Sequence, residues 1–162
     1  MFQRRTLALA STFAALAILA GCATPRQVAP VASTIASRAE LSTLSGLIAK
    51  AGLTDTLNGS GAFTVFAPSN EAFTKMSAKN REALNNPANL KAALTYHVLP
   101  MKVTAAEVKN GNAKTVNGAN VALSKAGTFV TVEEAMVVTA DIPATNGVIH
   151  VVDTVLIAPA KP

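Results

Sequence analysis

Two histidines, one cysteine and nine carboxylates are what this 162-residue chain offers to chemistry. A hydrolytic centre needs a nucleophile, a base and an orienting acid within reach of one another. His150 alternates with Val148 and Val152, so in a regular strand Asp153, three positions on, points to the opposite face and cannot orient it. Ser69 has no Gly-x-Ser-x-Gly setting, and its position just after an apolar run suits a helix cap instead. Two isolated histidines without a spaced carboxylate cluster fall short of the three or four ligands of a metal site. The pairs Asn117-Gly118 and Asn146-Gly147 lack the further glycines of a phosphate cradle and suit turns. No catalytic residue, metal or cofactor is therefore expected. His97 shares a helical stripe with Leu90 and Leu94, which predicts a buried, hydrogen-bonded ring; the same expectation holds for His150.

The remaining reactive group is Cys22. Ahead of it stand Arg4 and Arg5, an apolar run from Leu7 to Ala20 and the small residue Gly21, the layout of an export signal over residues 1–21. The 14-residue run is shorter than the roughly 20 residues a spanning helix needs. Leu19-Ala20-Gly21-Cys22 is similar to a bacterial lipobox, whose cysteine is acylated and becomes the first mature residue. Each buried acyl CH₂ contributes about 0.8 kcal/mol, so two or three chains hold a protein firmly on a membrane. A bacterial cell-envelope location follows, and Ala23 rather than Asp after the cysteine points to the outer membrane in a Gram-negative host. A lone cysteine forms no internal disulfide, so the domain has to be stable without one. The formal charge of +5 includes Arg4 and Arg5, and the lysines are scattered from Lys50 to Lys161 without interleaved aromatics, which argues against nucleic acid as a partner.

The elements that position these residues are legible in the periodicity. Residues 22–35, with Pro25 and Pro30 and no apolar period, suit a tether, leaving residues 36–159 as one domain. Residues 38–51 place Leu41, Leu44, Leu47 and Ile48 on one helical stripe ended by Gly52, and Leu53 and Leu57 mark a further short turn. Phe63 to Ala67 is a short apolar run stopped by Pro68, which predicts a buried strand. Ser69 caps a helix carrying Phe73 and Met76, and Asn86-Pro87 opens another that carries Leu90, Leu94 and His97. Beyond Pro100 the period changes to two, predicting strands over 114–116, 121–123, 128–132, 135–140 and 148–156. Helices followed by strands joined by short links predict an α+β fold with a mostly antiparallel sheet.

Three stretches resemble the conserved boxes of the fasciclin-like domain: Phe63-Thr64-Val65-Phe66-Ala67-Pro68-Ser69-Asn70-Glu71-Ala72-Phe73, then Tyr96-His97-Val98-Leu99, then Asn146-Gly147-Val148-Ile149-His150-Val151-Val152-Asp153. Order and spacing agree over residues 36–159. The resemblance implies a wedge of mostly antiparallel strands packed with several helices, with Phe66, Pro68, Asn70, Phe73, Asn146, Gly147, His150 and Asp153 as the family's structural motif positions. It also implies adhesion, with Tyr96, His97, Asp141 and Ile142 at the positions put forward as adhesion determinants in animal relatives. A single copy behind a lipid signal is similar to the small bacterial lipoprotein members. The function expected is an interaction or adhesion module on the cell envelope, joined to the membrane through its lipid and to an unknown protein or polysaccharide partner. The alternative is a carrier of a small apolar ligand in the wedge, although the five aromatics Phe63, Phe66, Phe73, Tyr96 and Phe129 are too few to suggest a large aromatic-lined pocket.

Overall fold

The structure, a computed structural model, describes residues 28–159. The export signal and Cys22 lie outside the described residues. In chain order the elements are α1 (Val31–Ala36), a single 3-10 turn (Ala39–Leu41), α2 (Ser42–Lys50), α3 (Thr54–Asn58), β1 (Phe63–Pro68), α4 (Asn70–Lys75), α5 (Ala78–Ala83), α6 (Pro87–Tyr96), β2 (Val98–Leu99), β3 (Gly111–Lys114), β4 (Asn120–Ala126), β5 (Phe129–Val132), β6 (Ala135–Ala144) and β7 (Gly147–Val152). The strands form one seven-stranded sheet in the order β2-β1-β7-β6-β5-β4-β3. The fold is α+β and its sheet mostly antiparallel, as the sequence predicts.

One pairing departs from that pattern: β1 and β7 run parallel, from Phe63 beside Gly147 to Pro68 beside Val152. Short links forbid parallel neighbours only between consecutive strands. These two strands come from opposite ends of the domain, with three helices and five strands between them. Their central position explains the unbroken apolar runs, because both faces are covered. Val65, Ala67, Ile149 and Val151 join a cluster with Ile35, Leu44, Leu90 and Leu94 on the helical side. Phe66 and Val152 face the other way, into a cluster of Tyr96, Val121, Leu123, Val130 and Val132 among the strands.

Local chemistry accounts for the element ends. Ser69 Oγ accepts from the Ala72 amide, and Asn86 Oδ1 accepts from the Ala88 amide ahead of Pro87 at the first turn of α6. Gly52 takes φ +66 just past α2, where the Leu53 amide reaches back to the Ile48 carbonyl.

Several boundaries are corrected. The tether expected over 22–35 runs too far, because α1 buries Val31 and Ile35 completely, so the folded unit begins ahead of residue 36. The strand expected at 114–116 is shifted to 111–114, and Thr115 and Val116 enter the turn with Asn117-Gly118. The strand expected at 135–140 continues to Ala144 through two register shifts. The last strand stops at Val152 instead of 156, and Val155 and Leu156 are buried without strand pairing. Helix α5 and the short strand β2 carry too few periodic residues to be read from sequence.

Candidate functional site

The boxes and the candidate adhesion residues converge on the two central strands and the elements flanking them. Helix α6 delivers Tyr96 and His97, both 3% exposed. The Tyr96 hydroxyl lies 3.0 Å from the Asn120 carbonyl and 3.1 Å from Glu133 Oε1, between two acceptors for its one proton. Burial, and then the neighbouring Glu133 carboxylate, pushes the phenol up to about 12.

His97 is the C-cap of α6 and joins it to the buried segment at Val155 and Leu156. Its Nδ1 lies 2.8 Å from the Ala93 carbonyl and its Nε2 accepts from the Leu156 amide at 3.0 Å. Only a neutral ring with the proton on Nδ1 makes both bonds. Burial accordingly pushes His97 down to about 4, against a smaller opposing effect of the Ala93 carbonyl.

His150 is neutral with the opposite tautomer. Its Nε2 donates to the Val103 carbonyl at 2.9 Å and its Nδ1 accepts from the Asp141 amide at 3.2 Å. The ring stacks on Phe66, centroids 5.7 Å apart, and burial lowers its pKa, opposed by the Val103 carbonyl and the Asp141 charge.

Asp141 sits inside β6 with φ +56, at one of the register shifts. Its carboxylate accepts from the Ala105 amide at 2.8 Å, so it pins the loop after β2 to the sheet. Ile142 is buried in the helical-side cluster. Of the four candidate adhesion residues, three are therefore buried, and Asp141 alone reaches solvent.

The motif positions act as latches. Asn146 Oδ1 accepts from the Val31 amide, while its Nδ2 donates to the carbonyls of Leu57 and Gly59, so one side chain holds α1, α3 and the β6–β7 turn together. Asn70 does the same for α2, donating to the Ala39 carbonyl and accepting from the Thr43 amide. Asp153 Oδ1 accepts from the Met136 amide and makes no bond to His150. Phe66 and Pro68 are buried in β1, and Phe73 packs against the helical-side cluster. Gly147 has no positive φ; a Cβ there would overlap the Phe63 carbonyl across the parallel pair. Its glycine is demanded by close approach, not by a hairpin turn.

Three features escaped the sequence. Thr64, fully buried, donates to the Met101 carbonyl and binds the Val103 amide, fixing the loop that faces His150. Glu133, at φ +54, holds Tyr96 and the Ala122 amide; the residue types beside it carry no signal for that role. An apolar groove of about 370 Å³ lies between α5, α6 and residues 155–159, its floor including Leu84, Ala93 and Leu156. Among the described residues no group of three or more metal-ligating side chains is assembled, and no helix is long and apolar enough to cross a membrane.

The Fasciclin domain family model matches residues 39–158. Protein sll1483 of Synechocystis is 39% identical over 80% of this chain and 73% of its own. The cell surface glycolipoprotein MPB83 of Mycobacterium bovis is 34% identical over 82% of this chain, which spans 62% of that relative. Among solved structures, a FAS1 domain pair from the insect cell adhesion molecule fasciclin I superposes with a TM-score of 0.71 at 18% identity, over 80% of this chain and about half of that one (51%).

Proposed function

Because this chain belongs to the fasciclin domain family, whose domains are associated with cell adhesion and whose named relatives above carry no enzyme's name, we propose that it is an adhesion module held on the bacterial envelope by a lipid on Cys22. The observation that carries this reading is spacing. The lipobox-like tetrad ends nine residues ahead of Val31, where the folded domain begins, so a lipid there keeps the domain within about 30 Å of the membrane. Ala23 supports an outer-membrane address in a Gram-negative host. The partner is a protein or polysaccharide met at the surface, without nucleic acid. Tyr96, His97 and Ile142 support adhesion by holding the fold, and Asp141 is the one of the four that is exposed. A second reading, carriage of a small uncharged apolar ligand, is favoured by the groove beside α5 and α6, whose lining contains no charged side chain.

The test is Cys22→Ser in the native host. Wild type should partition into the detergent phase with an acylated terminus and promote attachment of cells to each other or to matrix. Cys22→Ser should leave the precursor uncleaved by the lipoprotein peptidase and attachment reduced. Unmodified wild-type protein in the aqueous phase would overturn the anchor. An apolar molecule co-extracted with wild type, without any attachment phenotype, would move the reading to the carrier.

A further inference from the structure

The outer face of the β4–β5–β6 meander is unusual for a sheet turned to water. Around the β4–β5 turn and the start of β6 its outward positions are Ser124, Ala126, Phe129, Thr131, Met136 and Val138, none of them charged; farther from that turn the exposed positions include Asn120 and Ala122 on β4 and Asp141 on β6. Phe129 is 64% exposed, Val138 57% and Met136 44%. Solvent-facing strands ordinarily carry polar or charged side chains, which also keep such faces from associating. The charges that adjoin this face along the chain are engaged elsewhere. Lys125 Nζ donates to the Ala106 carbonyl, and the Glu133 carboxylate is held by the Tyr96 hydroxyl and the Ala122 amide. Glu134 lies beyond the face, in the β5–β6 turn.

We propose that this face is where one copy of the chain meets a second copy displayed on an opposing surface. The inference rests on the adhesion reading and names its partner. The register places Ala126 opposite Phe129 and Ser124 opposite Thr131, so the protruding aromatic stands beside a shallow strip of small side chains. Across a two-fold axis, each Phe129 covers the other copy's strip, which makes the face complementary to itself. A charged residue near such an axis would meet its own like, and none of the six positions carries one.

The tether sets the orientation. The Thr145 amide donates to the Ala29 carbonyl, so the chain leaves the domain at the end of β6. Met136 and Val138 lie at the start of that strand, six to eight residues and about 20–25 Å away. The six residues from Cys22 to Val28 reach about 20 Å at most. A lipid at Cys22 thus draws the Thr145 end toward its membrane and leaves the Phe129 face standing away from it. Three strands about 4.8 Å apart and about four residues long offer a few hundred Å², well under the roughly 800 Å² per partner of a stable dimer. The contact is weak for single molecules and gains strength when many tethered copies engage at once.

Because Cys22 is the chain's one cysteine, the chain from Cys22 onward can be coupled there to maleimide lipid in phosphatidylcholine vesicles. Wild-type vesicles should cluster, read as turbidity, and Phe129→Lys or Ala126→Arg should slow clustering about tenfold or more while melting like wild type. Ile157→Lys, at an exposed apolar position on the groove side, should cluster as wild type does. Dispersed wild-type vesicles, full clustering by Phe129→Lys, or an equal loss in Ile157→Lys would each overturn the proposal. Clustering of coated with bare vesicles would overturn it in favour of a lipid surface. If vesicles stay dispersed while cells bearing the protein still attach to one another, the self-contact falls and the adhesion reading stands.

Discussion

His97 shows how a residue at a recognised adhesion position can be spent on the fold. Both ring nitrogens are bonded in the neutral form, one to Ala93 within α6 and one to Leu156 near the chain's end. Protonation would put an N–H where an acceptor is needed, against the Leu156 amide. The sign of the pH dependence follows. The native ring is pushed down to about 4, against 6.5 for an unperturbed histidine, so its contribution to stability is complete above 6.5 and is lost as pH falls toward 4. Within that window the slope approaches about 1.4 kcal/mol per pH unit, and His150, lowered for the same reason, adds to it in the same direction. His97→Gln should lower stability at about pH 7.5 by on the order of 1–3 kcal/mol, through a cavity and a less well bonded Leu156 amide. It should also lose less on acidification to about pH 5 than wild type does. Urea melts at the two pH values check both, and equal acid losses in the two proteins would show that His97 does not titrate in this window.

At the level of elements, α1 is the one whose omission matters most. Its six residues bury Val31 and Ile35 completely and bring the Val31 amide to Asn146 Oδ1. A chain starting at Val28 should therefore melt as the full chain does. A chain starting at Ala36 loses the three core side chains Val31, Ala32 and Ile35 and leaves the Asn146 carbonyl oxygen without that donor, a loss on the order of 3–6 kcal/mol. That is a large part of the 5–15 kcal/mol typical of a whole domain. Thermal denaturation of the two truncations decides it, and equal melting temperatures would put α1 outside the cooperative unit. The sequence concealed α1 because Pro30 and the small polar residues Ser33 and Thr34 mimic a tether, and six residues are too few for a helical period to stand out.

The whole molecule is two apolar clusters divided by β1 and β7, and Tyr96 lies wholly in the one among the strands. It is the chain's only tyrosine and there is no tryptophan, so tyrosine fluorescence reports that cluster, while far-UV circular dichroism is weighted to the helices around the other. The shared central strands should make the two melts coincide, and separated midpoints would show two units in place of one. Sequence alone determined much of this protein: the α+β class, the buried first strand, the capped helices and the run of late hairpins rest on local periodicity and residue type, which near neighbours in the chain decide, and the three boxes rest on resemblance to the family. Tertiary structure alone decided the parallel pairing of β1 with β7, the burial of Tyr96 and Ile142, the partner of the His97 Nε2 at Leu156, the positive φ of Asp141 and the reason Gly147 must be glycine. Each of these depends on a partner far along the chain, as Gly147 does on the Phe63 carbonyl, and a contact across so long a separation leaves no period in the sequence to read.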